Sequence, residues 1–207
     1  MQIVDIKKDK LHLMKITLDN DSVVFLDKTV CADKCLNVGM YLEQEQLKEL
    51  EFLSDYTRAK SRAVWYLDRQ DHTEKALYDK LVRAGFGKQA SAKVIARFIE
   101  VGLIDDERYA RNYAERLMEA NVSKREAVQK MLLKGVPYDL AKAVLEETEA
   151  DEQTQIKNLI DKKYRTKLTD QKGVEKVFAA LARKGFSYSA VKEALKSYIE
   201  ESEDEYV

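Results

Sequence analysis

Three glycines in this chain, Gly85, Gly135 and Gly185, stand fifty residues apart. Each closes a thirteen-residue stretch of helical periodicity: TEKALYDKLVRAG, SKREAVQKMLLKG and GVEKVFAALARKG. In the first, Leu77, Leu81 and Ala84 recur at three and four residues and share one apolar stripe. A glycine placed after such a stripe is the usual left-handed residue that ends a helix. The register extends beyond the stops. Leu81, Met131 and Leu181 align, as do Phe86, Val136 and Phe186; Ala90, Leu140 and Ala190; and Ile95, Leu145 and Leu195. Thr73, Ser123 and Gly173 fall at the cap position, so the third copy is expected to lack a side-chain cap. Three unrelated helix hairpins with coincidental spacing would not hold their apolar stripes in register. A period near fifty residues therefore implies helical units stacked along the chain.

Ahead of the repeats the pattern changes. Residues 11–18, LHLMKITL, and 22–26, SVVFL, alternate in part around the turn-forming Asp19-Asn20-Asp21, which reads as a β-hairpin. A lone hairpin is marginal and must pair with a further strand or pack on helices. A short helix is expected over 30–36, and another from about Glu43 to Tyr56 with Leu47, Leu50 and Leu53 inward. The first repeat then opens with a separate helix, Thr57 to Arg69, on which Lys60, Ala63, Val64 and Leu67 share a side. The expected fold is mainly α: tandem three-helix repeats behind a small N-terminal cap containing a β-hairpin. The divisions are 1–57 for the cap, then 58–104, 105–150 and 151–207, the last ending in an acidic tail, Glu200 to Glu205, expected to fray. In the third unit a polar connector, Arg165 to Lys172, precedes the second helix, and Val191, Leu195, Tyr198 and Ile199 line the last.

Charge is unevenly spread over a chain of net −1. Residues 58–97 carry ten Lys or Arg against four Asp or Glu, whereas 1–57 net −4, 98–150 net −3 and 151–207 balance. A local positive excess suits an anionic partner reached by one face. Arg58, Arg62, Trp65 and Arg69 fall within about 60° on one side of their helix, and Lys88, Lys93 and Arg97 add to the basic region. An indole among guanidinium groups can grip an acidic protein surface or stack on nucleobases. The competing reading packs Trp65 on the N-terminal cap with the arginines merely covering it. These seven residues are the candidate partner- or DNA-binding set.

Other chemistry finds little support. Asp105 and Asp106 come with no third ligand or base, and capping of the following helix accounts for them. His12 and His72 are the only histidines, and Cys31 and Cys35 read as free structural thiols, so no metal is expected. There is no phosphate-cradling glycine loop and no nucleophile elbow, and no catalytic residue or cofactor is expected. No stretch is long enough to span a membrane and no signal peptide opens the chain, which points to the cytoplasm. These readings leave a nucleic-acid binder and a protein-filament binder open alike.

Specific text separates them. Leu67-Asp68-Arg69 before Thr73, Lys80-Leu81 before Gly85-Phe86, and Gly102-Leu103-Ile104-Asp105-Asp106 followed by Tyr109-Ala110 resemble the RecX regulatory proteins of bacteria. The resemblance covers about residues 58–200, and the N-terminal hairpin and helix look like the extension of Gram-positive members. Ile104 stands where many members have leucine. The resemblance implies tandem three-helix repeats and no enzyme. It implies a protein that binds the RecA recombinase filament on single-stranded DNA and mostly inhibits its ATP hydrolysis and strand exchange. RecA filament and single-stranded DNA are the expected partners, no membrane is involved, and the chain is expected to be a monomer. The alternative is a helical-repeat protein that holds nucleic acid directly through its basic first repeat.

Overall fold

The computed structural model describes residues 1–10 and 12–204, with side chains up to Tyr198 except that of Ser197. Leu11, Ile199 and the acidic tail side chains of 200–205 lie outside what is described. Two compact units are present, 1–105 and 106–207.

The first unit opens with an antiparallel sheet of three strands in the order β1 (Ile3–Lys8), β2 (Leu13–Leu18), β3 (Val23–Asp27). The expected hairpin is β2–β3, and the further strand it needs is β1. Strict alternation from Ile3 would turn Asp5 inward. A register shift between Ile3 and Asp5 instead brings Ile3 and Ile6, three residues apart, to the same core. Residues 39–42 satisfy the start of β1: Ile3 N–H donates to Met40 O at 2.9 Å and Gly39 N–H to Ile3 O at 2.8 Å. Helix α1 (Lys28–Asp33) is capped by Asp27, whose carboxylate accepts from Thr29 N–H. It ends earlier than the predicted 30–36. Cys31 is buried and Cys35 exposed, both free. Burial, and secondarily the Asp27 charge, pushes the Cys31 thiol up, away from reactive thiolate.

The predicted break at Tyr56–Thr57 is absent. A single helix, α2, runs from Gln44 to Leu67. Its two halves bury different sides. Leu50 and Ser54 face the sheet core. Ala59 and Ala63 face a second core with Leu77, Leu81, Val94, Ile95, Phe98 and Ile104. At 100° per residue the two stripes lie roughly 180° apart. An apolar stripe that changes sides reads as two helices, although no glycine, proline or cap interrupts the chain. Val64, expected inward, is 49% exposed as a consequence.

Helices α3 (Glu74–Arg83) and α4 (Lys88–Glu100) complete the first three-helix unit. Thr73 caps α3 by accepting from Ala76 N–H at 3.2 Å. Ala84 is the exposed C-cap rather than part of the buried stripe. Gly85 has φ 93°, and Phe86 N–H reaches back to Leu81 O at 3.2 Å. The same closure occurs at Gly135 and Gly185, both at φ 90°, with Val136 bonded to Met131 O and Phe186 to Leu181 O. The aligned pairs 81/86, 131/136 and 181/186 are thus the apolar contacts of one helix-stop motif.

In the second unit, α5 (Asp106–Glu119), α6 (Lys124–Leu133) and α7 (Tyr138–Glu147) enclose Ala110, Ala114, Leu117, Met131 and Leu145. Ser123 caps α6. Ala59 and Ala63 correspond in packing to Ala110 and Ala114, not to the fifty-residue positions, because the path from Ala63 to Thr73 is one residue longer than that from Ala114 to Ser123. The last three-helix set comprises α8 (Glu152–Leu159), α9 (Gln171–Arg183) and α10 (Tyr188–Asp204), around Ile156, Ile160, Val177, Leu181 and Leu195. A π turn (Ile160–Tyr164) and a 3-10 turn (Arg165–Lys167) extend α8. Contrary to expectation α9 does have a side-chain cap. It starts earlier, and Asp170 accepts from Gly173 N–H at 2.7 Å. Gln155, buried, donates to Met118 O and Val122 O and so fastens α8 to the end of α5.

Candidate partner-binding face

The sequence-predicted residues all lie in the first unit, on α2 and α4 and just beyond α2. Trp65 is 44% exposed and takes no part in the N-terminal core. The reading that packs it on the cap therefore fails, because the α2 face buried against the sheet is that of Leu50 and Ser54. Arg69 stacks on the indole, its Cζ 3.4 Å from the ring centroid, and its Nη1 donates to Trp65 O at 2.9 Å. Arg62, one turn earlier, has its Cζ at 5.3 Å from the same ring. Tyr66 meets the Trp65 edge at a 5.3 Å centroid distance. A guanidinium stacked on a ring keeps its N–H edge free for an external acceptor, and such stacking at an exposed site is worth about 0.5–1 kcal/mol.

The seven residues do not form one cluster. Arg58 lies over Phe86 at 5.6 Å. Lys93 of α4 lies over Phe52 at 5.3 Å and Tyr56 at 5.6 Å, rings about 130° round α2 from the Trp65 group. Lys88 is exposed at the start of α4. Arg97 is paired with Glu100 at 3.0 Å. Among the described residues no carboxylate lies within 4.0 Å of Arg58, Arg62, Arg69, Lys88 or Lys93. Contrast Arg111 in the second unit. Glu107 at 2.9 Å and Glu147 at 2.7 Å occupy it and raise its pKa further above the usual value. The aromatic partners Phe52, Tyr56, Tyr66 and Phe86 were missed in the sequence. Phe52 and Tyr56, spaced four apart on α2, are the signal that was available.

Comparison with known proteins bears on what this surface belongs to. Residues 59–98 match the family model for the first three-helix domain of RecX, and residues 150–195 that for the third. The regulatory protein RecX of Streptococcus pyogenes serotype M3 is 28% identical over 198 residues, spanning 94% of this chain and 76% of that protein. That of Streptococcus equi subsp. equi is 24% identical over 209 residues, with 100% and 81% coverage. The chain belongs to the RecX family. A solved RecX regulatory protein shares the fold at TM-score 0.68 and 24% identity, covering 95% of this chain and 98% of its own. RecX from Lactobacillus salivarius does so at TM-score 0.62 over 70% of this chain and 96% of its own. The basic face thus sits on the first RecX three-helix domain. No described helix is long and apolar enough to cross a membrane.

Proposed function

We propose that this RecX-family regulator acts on the RecA filament formed on single-stranded DNA and restrains its ATP hydrolysis and strand exchange. It acts by binding rather than by catalysis, as a cytoplasmic monomer, with the three-helix units 58–104, 105–150 and 151–207 behind the 1–57 cap as its working parts. The observation that carries the reading is the half-exposed Trp65 flanked by Arg62 and Arg69, neither of which has a carboxylate partner among the described residues. A desolvatable aromatic with stacked arginines is the residue combination that dominates interface energetics, and the surrounding positive excess steers an anionic filament toward it. Arg58, Lys88, Lys93 and Arg97 lie outside the Trp65 cluster and contribute to the docking through the positive field of the same domain.

The test is RecA ATP turnover on single-stranded DNA with the protein titrated in. Turnover is expected to fall toward a plateau as the protein approaches the RecA concentration. A rate unchanged at several-fold excess over RecA counts against the reading.

A further inference from the structure

The third repeat carries a second basic surface that its balanced charge conceals. Residues 161–176 hold six cations, Lys162, Lys163, Arg165, Lys167, Lys172 and Lys176, against Asp161, Asp170 and Glu175. Repeat 3 nets zero because six of its acidic residues fall at 193–205. All six cations are exposed. The three carboxylates are largely engaged with neighbours of their own. Asp170 caps α9, Glu175 accepts from Gln171 Nε2 at 3.4 Å, and Asp161 stands 3.9 Å from Arg165 across solvent. Among the described residues none of the five lysines has a carboxylate within 4.0 Å. The second repeat is built differently, with Arg111, Lys130 and Lys142 each held by glutamates.

The fold gathers these charges. The π turn adds a residue to the helical path after α8 and turns Lys162 and Lys163 outward while Ile160 stays in the core. The 3-10 turn then folds against the first turn of α9. A Cβ at Gly173 would overlap Lys167 O, so only glycine allows the approach that sets the Lys167 backbone against the residue following Lys172. Tyr164, half-buried on the core, has Lys167 Nζ 5.7 Å from its ring centroid. π turns inside helices recur at functional sites.

We propose that this surface, at the junction of α8 and α9, binds the phosphodiester backbone of a nucleic-acid strand directly, without RecA and apart from the face around Trp65. Unpaired flexible lysines on a turn, with one ring at their centre, suit a chain of phosphates, whose contacts are sequence-independent and release counterions.

The experiment measures binding of the full chain to a fluorescent oligothymidylate, with no RecA present, across a salt series. Replacing Lys162, Lys163 and Lys167 together by Gln is expected to flatten the slope of log K against log salt by about 2, at about 0.7 per lost phosphate contact on a single strand. The corresponding triple Arg variant is expected to keep the parent slope. Amine labelling of the parent protein supplies a reading that needs no variant: Lys162, Lys163 and Lys167 should be protected by the oligonucleotide. An unchanged slope with no protection overturns the proposal. So does protection that appears only when RecA filament is added, which assigns the surface to a protein partner. Failure of RecA inhibition in the separate turnover assay leaves this result standing.

Discussion

Arg62 and Arg69 are separated by seven residues and share one ring, which makes them the sharpest test of the first-repeat face. Both are exposed, and the buried stripe of this half of α2 is Ala59 and Ala63. Reversing both to Glu should therefore spare the thermal melt, weaken suppression of RecA turnover, and do so more severely as salt rises. Suppression at the parent concentration by a folded double variant would place docking elsewhere. A second residue carries a stability prediction. Ser91 is fully buried and its hydroxyl has no partner among the described residues. The residues fifty and one hundred positions on are Ala141 and Val191, both fully buried. An orphaned buried hydroxyl costs about 1–3 kcal/mol, and alanine is the better helix former. Ser91→Ala should thus raise the denaturant midpoint, by about 1 kcal/mol of stability. A lowered midpoint would show that the hydroxyl is satisfied in solution.

Among the elements, α9 shows how a tertiary contact reverses a local rule. Gly173 sits in the first turn of a helix, where alanine would ordinarily add up to about 1 kcal/mol. Here the added methyl collides with the Lys167 carbonyl, and overpacking of this kind costs about 1–3 kcal/mol. Gly173→Ala should destabilise the second unit, read as a lower unfolding midpoint. The sequence placed Gly173 in the cap position and missed Asp170, because the fifty-residue register hides a helix that begins a turn early. What was legible were the features written locally: helix-stop glycines with their apolar partners, the caps Thr73 and Ser123, and the β2–β3 hairpin. Three features were set by packing. The bulge in β1 replaces alternation by a spacing of three, and α2 changes its buried side without a break. The third is a carboxylate on the first helix that takes the N–H opening the third, Asp55 on Gly87 at 2.6 Å and Glu152 on Ser187 at 2.7 Å. The candidate site was legible as a set of side chains on a helix wheel. Its division into a Trp65 group and a Lys93 group was not, because Phe52 and Tyr56 had been assigned to another helix.

At the scale of the whole molecule, the described residues form four apolar cores that fall into two compact units, the first ending at Asp105 and the second beginning at Asp106. Fragments 1–105 and 106–207 should each unfold cooperatively when expressed alone, followed by far-ultraviolet circular dichroism in denaturant. A non-cooperative, featureless transition in either would mean that the two halves depend on each other. The positive face around Trp65 lies in the first fragment and the lysines around the π turn in the second, so salt-dependent binding can be assayed on each half separately.

The unbroken α2 has a consequence for how such a chain can vary in length. Because one rod serves the sheet core through Leu50 and Ser54 and the repeat core through Ala59 and Ala63, the intervening residues act as a phase setting between them. One alanine inserted after Thr57 would advance everything beyond it by about 1.5 Å and 100°. Trp65 would swing toward the interior and Ala63 out of it, while the Asp55 contact to Gly87 could not re-form. Insertions and deletions should therefore be selected against between Ser54 and Ala59, however polar that stretch is.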